Sequence, residues 1–138
     1  IHTYAGIQLR LACDKIMKSK NSFAETGSAE ITQAYNLPSD YIIHTVGPII
    51  NSNLTQNDCL LLKLCYQSCL NAAEENNLKS IAFCCISTGE YHFPNQKAAE
   101  IAIDTVTEFI KSSNIERVIF NVFKDKDYEI YRKLLQTN

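Results

Sequence analysis

Runs of β-branched and apolar residues alternate along this chain with segments whose apolar residues recur at helical spacing, and this alternation restricts the fold more than any single motif. Residues 41–48, "YIIHTVGP", read as a strand halted by Gly47 and Pro48. Residues 80–87, "SIAFCCIS", are so uniformly apolar that a central strand covered on both faces is expected, and 117–123, "RVIFNVF", read as another buried strand. Residues 29–38, "AEITQAYNLP", read as a short extended segment closed by Asn36 and Pro38. Helical stripes lie between and around these runs: Leu9, Ala12, Cys13 and Ile16 within 5–18; Leu61, Leu64, Cys65, Ser68, Cys69 and Ala72; and Ala98, Ile101, Ala102, Thr105, Val106, Phe109 and Ile110. A last stripe, Tyr128, Tyr131, Leu134 and Leu135, follows Asp125 as a cap. Pro94 and Asn95 suit the first turn of the third helix, and the polar run 51–57 reads as a loop. Strands alternating with helices predict an α/β layer fold with a largely parallel sheet, in which ligands bind beyond the carboxyl ends of the strands.

A chain of 138 residues with 46% hydrophobic content suits a single domain with a real core. Its 13 basic and 15 acidic residues leave a formal charge of −2, with no basic block to neutralise a nucleic-acid backbone or grip an anionic membrane. No apolar run has the roughly 20 residues of a membrane helix, so a soluble, cytoplasmic protein is expected. An anionic ligand would have to be bound largely by backbone amides.

The segment that offers such amides is residues 86–94, "ISTGEYHFP", placed between the apolar strand and the cleanest helical stripe. Ser87 and Thr88 carry hydroxyls, Gly89 allows close approach or a positive φ, and successive amides in such a turn can form an anion nest in front of a helix N-terminus. A phosphate or pyrophosphate is the physical expectation, with the Tyr91 ring against a sugar or base. A strand-to-helix turn that merely needs small residues has the same composition. If the loop is a cradle, a β-branched residue at Gly89 should block it.

His2, His44 and His92 stand at no ligand spacing from a cysteine. Cys13, Cys59, Cys65, Cys69, Cys84 and Cys85 show no CxxC spacing and read as reduced core thiols. Cys65 and Cys69 share a helix face with apolar neighbours, and Cys84 and Cys85 point to opposite sides of a strand, so neither pair makes a metal site. No histidine is placed to activate a cysteine nucleophile, and Lys15, Lys18 and Lys20 read as a solvated helix face.

Taken in order, "IHTYAGIQLRLAC", "TGSAEITQAYNLPSDYIIHTVGP", "SIAFCCISTGEYHFP", "AAEIAIDTV" and "DYEIY" resemble a macrodomain, the ADP-ribose-binding α/β/α module, over essentially the whole chain. The resemblance implies a three-layer sandwich with a mixed, mostly parallel sheet and a cleft for ADP-ribose. It implies that Ser87, Thr88, Gly89, Glu90 and Tyr91 wrap the pyrophosphate, with Tyr91 on the distal ribose, and that the strand end from Asn121 to Phe123 borders the adenosine half. Gly27, Ala29 and Thr32 match the family's Gly-x-Ala-x-x-Thr stretch, which looks structural.

Where hydrolytic macrodomains often read Ser-Gly-Val/Ile-Phe-Gly-Tyr/Phe-Pro, this chain has Glu90 and His92 in the loop. Together with "AYNLP" and "FCCISTGE" these are similar to the microbial zinc-dependent protein-ADP-ribose hydrolases, whose zinc ligands lie just before the stretch matching Ile1 and His2. By that resemblance zinc ligands and catalytic residues are expected upstream of Ile1, with no metal ligands within the chain itself. The family's first strands, first ligand-binding loop, adenine-contacting Asp and distal-ribose Asn are likewise expected to be missing from residues 1–138. The implied function is a hydrolase that removes ADP-ribose from modified protein side chains, with ADP-ribose or an ADP-ribosylated protein as partner. A non-catalytic ADP-ribose reader, an O-acetyl-ADP-ribose hydrolase and an inactive fragment remain as alternatives.

Overall fold

Two pairs of strands organise residues 25–137, the part described by this computed structural model; the expected helix over 5–18, with His2, Cys13 and the three lysines, lies outside it. β1 (Ala29–Gln33) and β2 (Tyr41–Thr45) pair antiparallel, with Ala29 opposite Thr45 and Gln33 opposite Tyr41. The extended segment expected over 29–38 is therefore shorter. It stops at Gln33, and the chain turns through Tyr35, held at φ 54°, while the Ala34 amide donates to the Asp40 carbonyl.

β3 (Ser80–Phe83) and β4 (Arg117–Phe120) pair in parallel, Ser80 opposite Arg117 and Phe83 opposite Phe120. Parallel neighbours need a long crossover, and helix α2 (Asn95–Ile110) supplies it. Helix α1 (Gln56–Glu75) joins the two strand pairs, and α3 (Asp125–Thr137) follows β4. The described strands thus form a mixed α/β arrangement.

α1 begins inside the run expected to be loop. Thr55 Oγ1 accepts from the Asp58 amide at 3.1 Å, and the Asp58 carboxylate accepts from the Thr55 amide at 3.0 Å. This reciprocal cap satisfies two otherwise orphaned amides, so the helix starts at Gln56. Its buried face is Leu62, Cys65, Tyr66, Cys69, Leu70 and Ala73, rotated from the expected stripe, which leaves Leu64 exposed. Leu60, Leu61, Leu62 and Leu64 spread over more than half of the helix circumference, broken by Lys63, so periodicity alone could not choose the inward face.

β3 is likewise not buried on both faces. Phe83 is buried and Ile81 half-buried, whereas Ala82 and Cys84 are exposed, and across the pair Ile119 is exposed while Val118 and Phe120 are half-buried. The inward face builds an aromatic chain: Tyr66 of α1 to Phe83 at 4.9 Å between ring centroids, Phe83 to Phe120 at 6.3 Å, and Phe120 to Tyr131 of α3 at 5.1 Å. These spacings suit offset and tilted aromatic packing. On α3, Tyr131 turns inward with Ile130 and Leu134 half-buried beside it, whereas Tyr128 and Leu135 face outward. The α2 stripe is close to expectation, with Ala98, Ala99, Ala102, Ile103, Thr105 and Val106 buried.

Candidate functional site

Because β3 and β4 run parallel, their carboxyl ends share one edge. The chain leaves β3 into residues 84–94 and leaves β4 through Asn121, Val122 and Phe123. The Asn121 amide donates to the Phe83 carbonyl at 2.7 Å, carrying the ladder one step beyond β4 and setting this exit beside the start of the loop. Both strands end earlier than the sequence suggested, at Phe83 and Phe120, since the residues beyond them turn away.

The segment after β2 forms the third side. Gly47 and Pro48 are buried, and the Ile50 amide donates to the Tyr91 carbonyl at 2.8 Å. α1 holds this segment from below, where the Cys65 thiol donates to the Val46 carbonyl at 3.3 Å and Ser68 Oγ to the Gly27 carbonyl at 2.7 Å. The Gly27 amide donates in turn to the Val46 carbonyl.

The loop is pinned at its base and open at its crown. The Phe93 amide donates to the Ser87 carbonyl at 2.9 Å and the His92 amide to the Gly89 carbonyl at 3.1 Å. Ile86 and Phe93 are buried, while Gly89, Glu90, Tyr91 and His92 are exposed. Among the described residues, no acceptor takes the amides of Gly89, Glu90 or Tyr91. Behind them α2 begins at the cap residue Pro94 without a side-chain hydrogen bond and without an acidic residue in its first turn. No acidic residue of its own first turn meets its positive dipole end, although the Asp127 carboxylate of α3 reaches Asn95 there, so the free amides of the loop in front are what can take an anion.

Individual loop residues depart from expectation. The left-handed conformations fall on Ser87, φ 66°, and His92, φ 64°, not on Gly89. A Cβ on Gly89 would meet nothing within 4 Å, so the Cβ clash by which a β-branched residue was expected to block the loop is not present. The Thr88 hydroxyl is committed to the Cys85 carbonyl at 3.2 Å. Ser87 Oγ is buried and, among the described residues, without a hydrogen-bond partner.

Of the residues singled out from sequence, Ser87 and Thr88 are half-buried at the loop base, Glu90 and Tyr91 stand on its crown, and Asn121 and Phe123 lie at the neighbouring strand exit. Phe123 is 98% exposed, an aromatic ring open to whatever enters from that side. Sequence reasoning did not assign site roles to Gly47 and Ile50. The only local signal was the Gly-Pro stop after β2.

His44 is half-buried, its Nε2 3.0 Å from Thr32 Oγ1 across the β1–β2 pair. Burial pushes the Cys69 thiol up to about 12 and raises that of Cys65, so both favour the neutral form. Cys84, expected in the core, is exposed. Among the described residues no three of His, Cys, Asp and Glu gather closely enough to hold a metal ion. A groove of about 800 Å³ between α1 and α2 includes no residue of the loop.

The described residues form an α/β domain with a loop of unpaired amides at the carboxyl edge of its parallel strands. The macro domain family model matches residues 1–102, and the chain belongs to the macrodomain family. It is 54% identical over 136 residues to a protein-ADP-ribose hydrolase of Treponema medium, a match covering 98% of this chain and 52% of that protein. Among solved structures it is similar to the Oceanobacillus iheyensis macrodomain with ADP, with a TM-score of 0.92 and 37% identity over 99% of this chain and 73% of that one. The Trypanosoma brucei macrodomain in complex with ADP-ribose gives 0.84 and 32%, over 97% of this chain and 54% of that one. The chain spans about half the length of the curated relatives it matches.

Proposed function

We propose that this chain is the ADP-ribose-holding part of a hydrolase that releases ADP-ribose from modified protein side chains. The observation that carries this reading is the exposed loop crown at Gly89, Glu90 and Tyr91, whose amides have no described acceptor, on the strand edge it shares with Asn121 and Phe123. The amides take the pyrophosphate, the exposed Tyr91 ring packs on the distal ribose, and Asn121 and Phe123 border the adenosine, where an open aromatic ring suits a base. The relatives called protein-ADP-ribose hydrolase support release rather than binding alone. The resemblance adds zinc, with ligands upstream of Ile1. Nucleic acid and membrane play no part in this reading, and no described helix is long and apolar enough to cross a membrane.

A reader that binds ADP-ribose without turning it over is the second reading. It needs only the same loop and strand edge.

Incubating the full-length protein with a mono-ADP-ribosylated protein, and separately with O-acetyl-ADP-ribose, and following free ADP-ribose by mass spectrometry tests both. Release from the protein that falls on adding a zinc chelator supports the metal-assisted hydrolase. Calorimetric ADP-ribose binding without release supports the reader, and no binding at all sinks both.

A further inference from the structure

Asp127 is a buried carboxylate, 6% exposed, on the first turn of α3. Its Oδ1 accepts from Asn95 Nδ2 at 2.5 Å. Asn95 is the first residue of α2, directly after the loop, and the preceding cap residue Pro94 contributes no side-chain hydrogen bond. The start of α2 is therefore held by a side chain from a helix that comes 32 residues later in sequence.

The other end of the loop meets the same helix. The buried phenols of Tyr66 and Tyr131 lie close enough to interact, and the Ile86 backbone at the loop base lies beside that of Tyr66. Cys85, which leads into the loop, lies near enough to Asp127 for the carboxylate to help burial push its thiol up to about 11. A buried carboxylate is costly unless its hydrogen bonds are made. Here its described hydrogen bond goes to the residue that fixes where the loop must end.

Resting on the ADP-ribose reading above, we propose that Asp127 is a positioning residue: through Asn95 it fixes the start of α2 and so the direction in which the amides of Gly89, Glu90 and Tyr91 point. It does not touch the ligand. Its contribution is to hold the cradle's closing end at a set distance from Ile86.

The test uses the full-length protein with Asp127→Asn, Asp127→Leu, Asn95→Ala and the Asn95→Ala/Asp127→Leu pair. Two quantities are read: hydrogen exchange of the 86–94 amides against those of 62–73 in the ligand-free protein, and the Kd for ADP-ribose. Asp127→Asn keeps an acceptor for Asn95 and should stay within about threefold of wild type, whereas Asp127→Leu should speed loop exchange selectively and weaken binding about tenfold. Asn95→Ala should do the same, and the double variant should add little. Unchanged loop exchange in Asp127→Leu, or losses that simply add, would overturn the proposal. If Asp127→Leu does not fold, Asn95→Ala and Asp127→Asn carry the test. Failure of the wild-type protein to bind ADP-ribose would overturn the functional reading instead, leaving the exchange comparison to judge the positioning role.

Discussion

A Cβ placed on Gly47 would stand 2.0 Å from Ser87 Oγ and 2.8 Å from Ile86 Cγ2, so the segment leaving β2 and the base of the loop touch with no room for a methyl group. Gly47 is required by space rather than by its own φ. Ser87 is poorly placed to yield, since it already holds a positive φ. Gly47→Ala should cost about 1–3 kcal/mol in thermal unfolding and weaken ADP-ribose binding in calorimetry. Wild-type values for both would show that the two segments can part without consequence.

The loop glycine should matter less than the loop histidine. Gly89 has open space around it and no positive φ, so Gly89→Ala should leave the unfolding free energy from urea titration within about 0.5 kcal/mol of wild type. His92 holds φ 64°, a conformation that costs an L-residue roughly 1–2 kcal/mol. His92→Val should therefore destabilise the protein, and His92→Gly should not. A larger loss from Gly89→Ala than from His92→Val would reverse this assignment.

Tyr91 tests the ligand reading with little structural cost. The residue is 39% exposed, and its described hydrogen bond to the rest of the site is through the backbone carbonyl that accepts from Ile50, which any residue retains. Tyr91→Ala should leave stability within about 0.5 kcal/mol yet weaken ADP-ribose binding about tenfold, and Tyr91→Phe should bind close to wild type. Unchanged affinity in Tyr91→Ala would remove the ring from the site.

Alkaline stability should report the buried thiols. Desolvation holds Cys69 at about 12, against 9.0 for a free thiol, so its neutral form is favoured in the folded state. That contribution is complete below about pH 9 and is lost as pH rises toward 12, because the unfolded chain gives up this proton first. Chemical unfolding at pH 8, 9.5 and 10.5 should show stability falling at up to about 1.4 kcal/mol per pH unit from this group, and Cys69→Ala should flatten the slope. At pH 8 a thiol reagent should modify exposed Cys84 before buried Cys65 or Cys69.

The order of strands and helices, the loop after β3 and the residues on its crown were all legible in the sequence, because each depends on nearest neighbours along the chain: β-branched runs, Gly-Pro stops, helical spacing of Ala98, Ala102 and Val106. Local signals faded where several faces looked alike. In α1 the leucines at 60, 61, 62 and 64 spread over more than one face of the helix, and only packing against Phe83 and the β2 segment selects Leu62, Tyr66 and Leu70 as the buried side. In β3 the small residues Ala82 and Cys84 looked as buried as Phe83, and only burial in the fold shows which are covered.

The chain's own sequence thus determined that a small-residue turn rich in free amides follows an apolar strand and precedes a helix, and through its motifs that the turn belongs to a macrodomain. Tertiary structure alone decided what shapes that turn. The approach of Gly47 to Ser87, the Ile50 amide on the Tyr91 carbonyl and the Asp127 carboxylate on Asn95 join residues far apart in sequence. Such contacts leave no periodic trace, because they depend on where separate elements come to rest and not on the spacing of residues within any one of them.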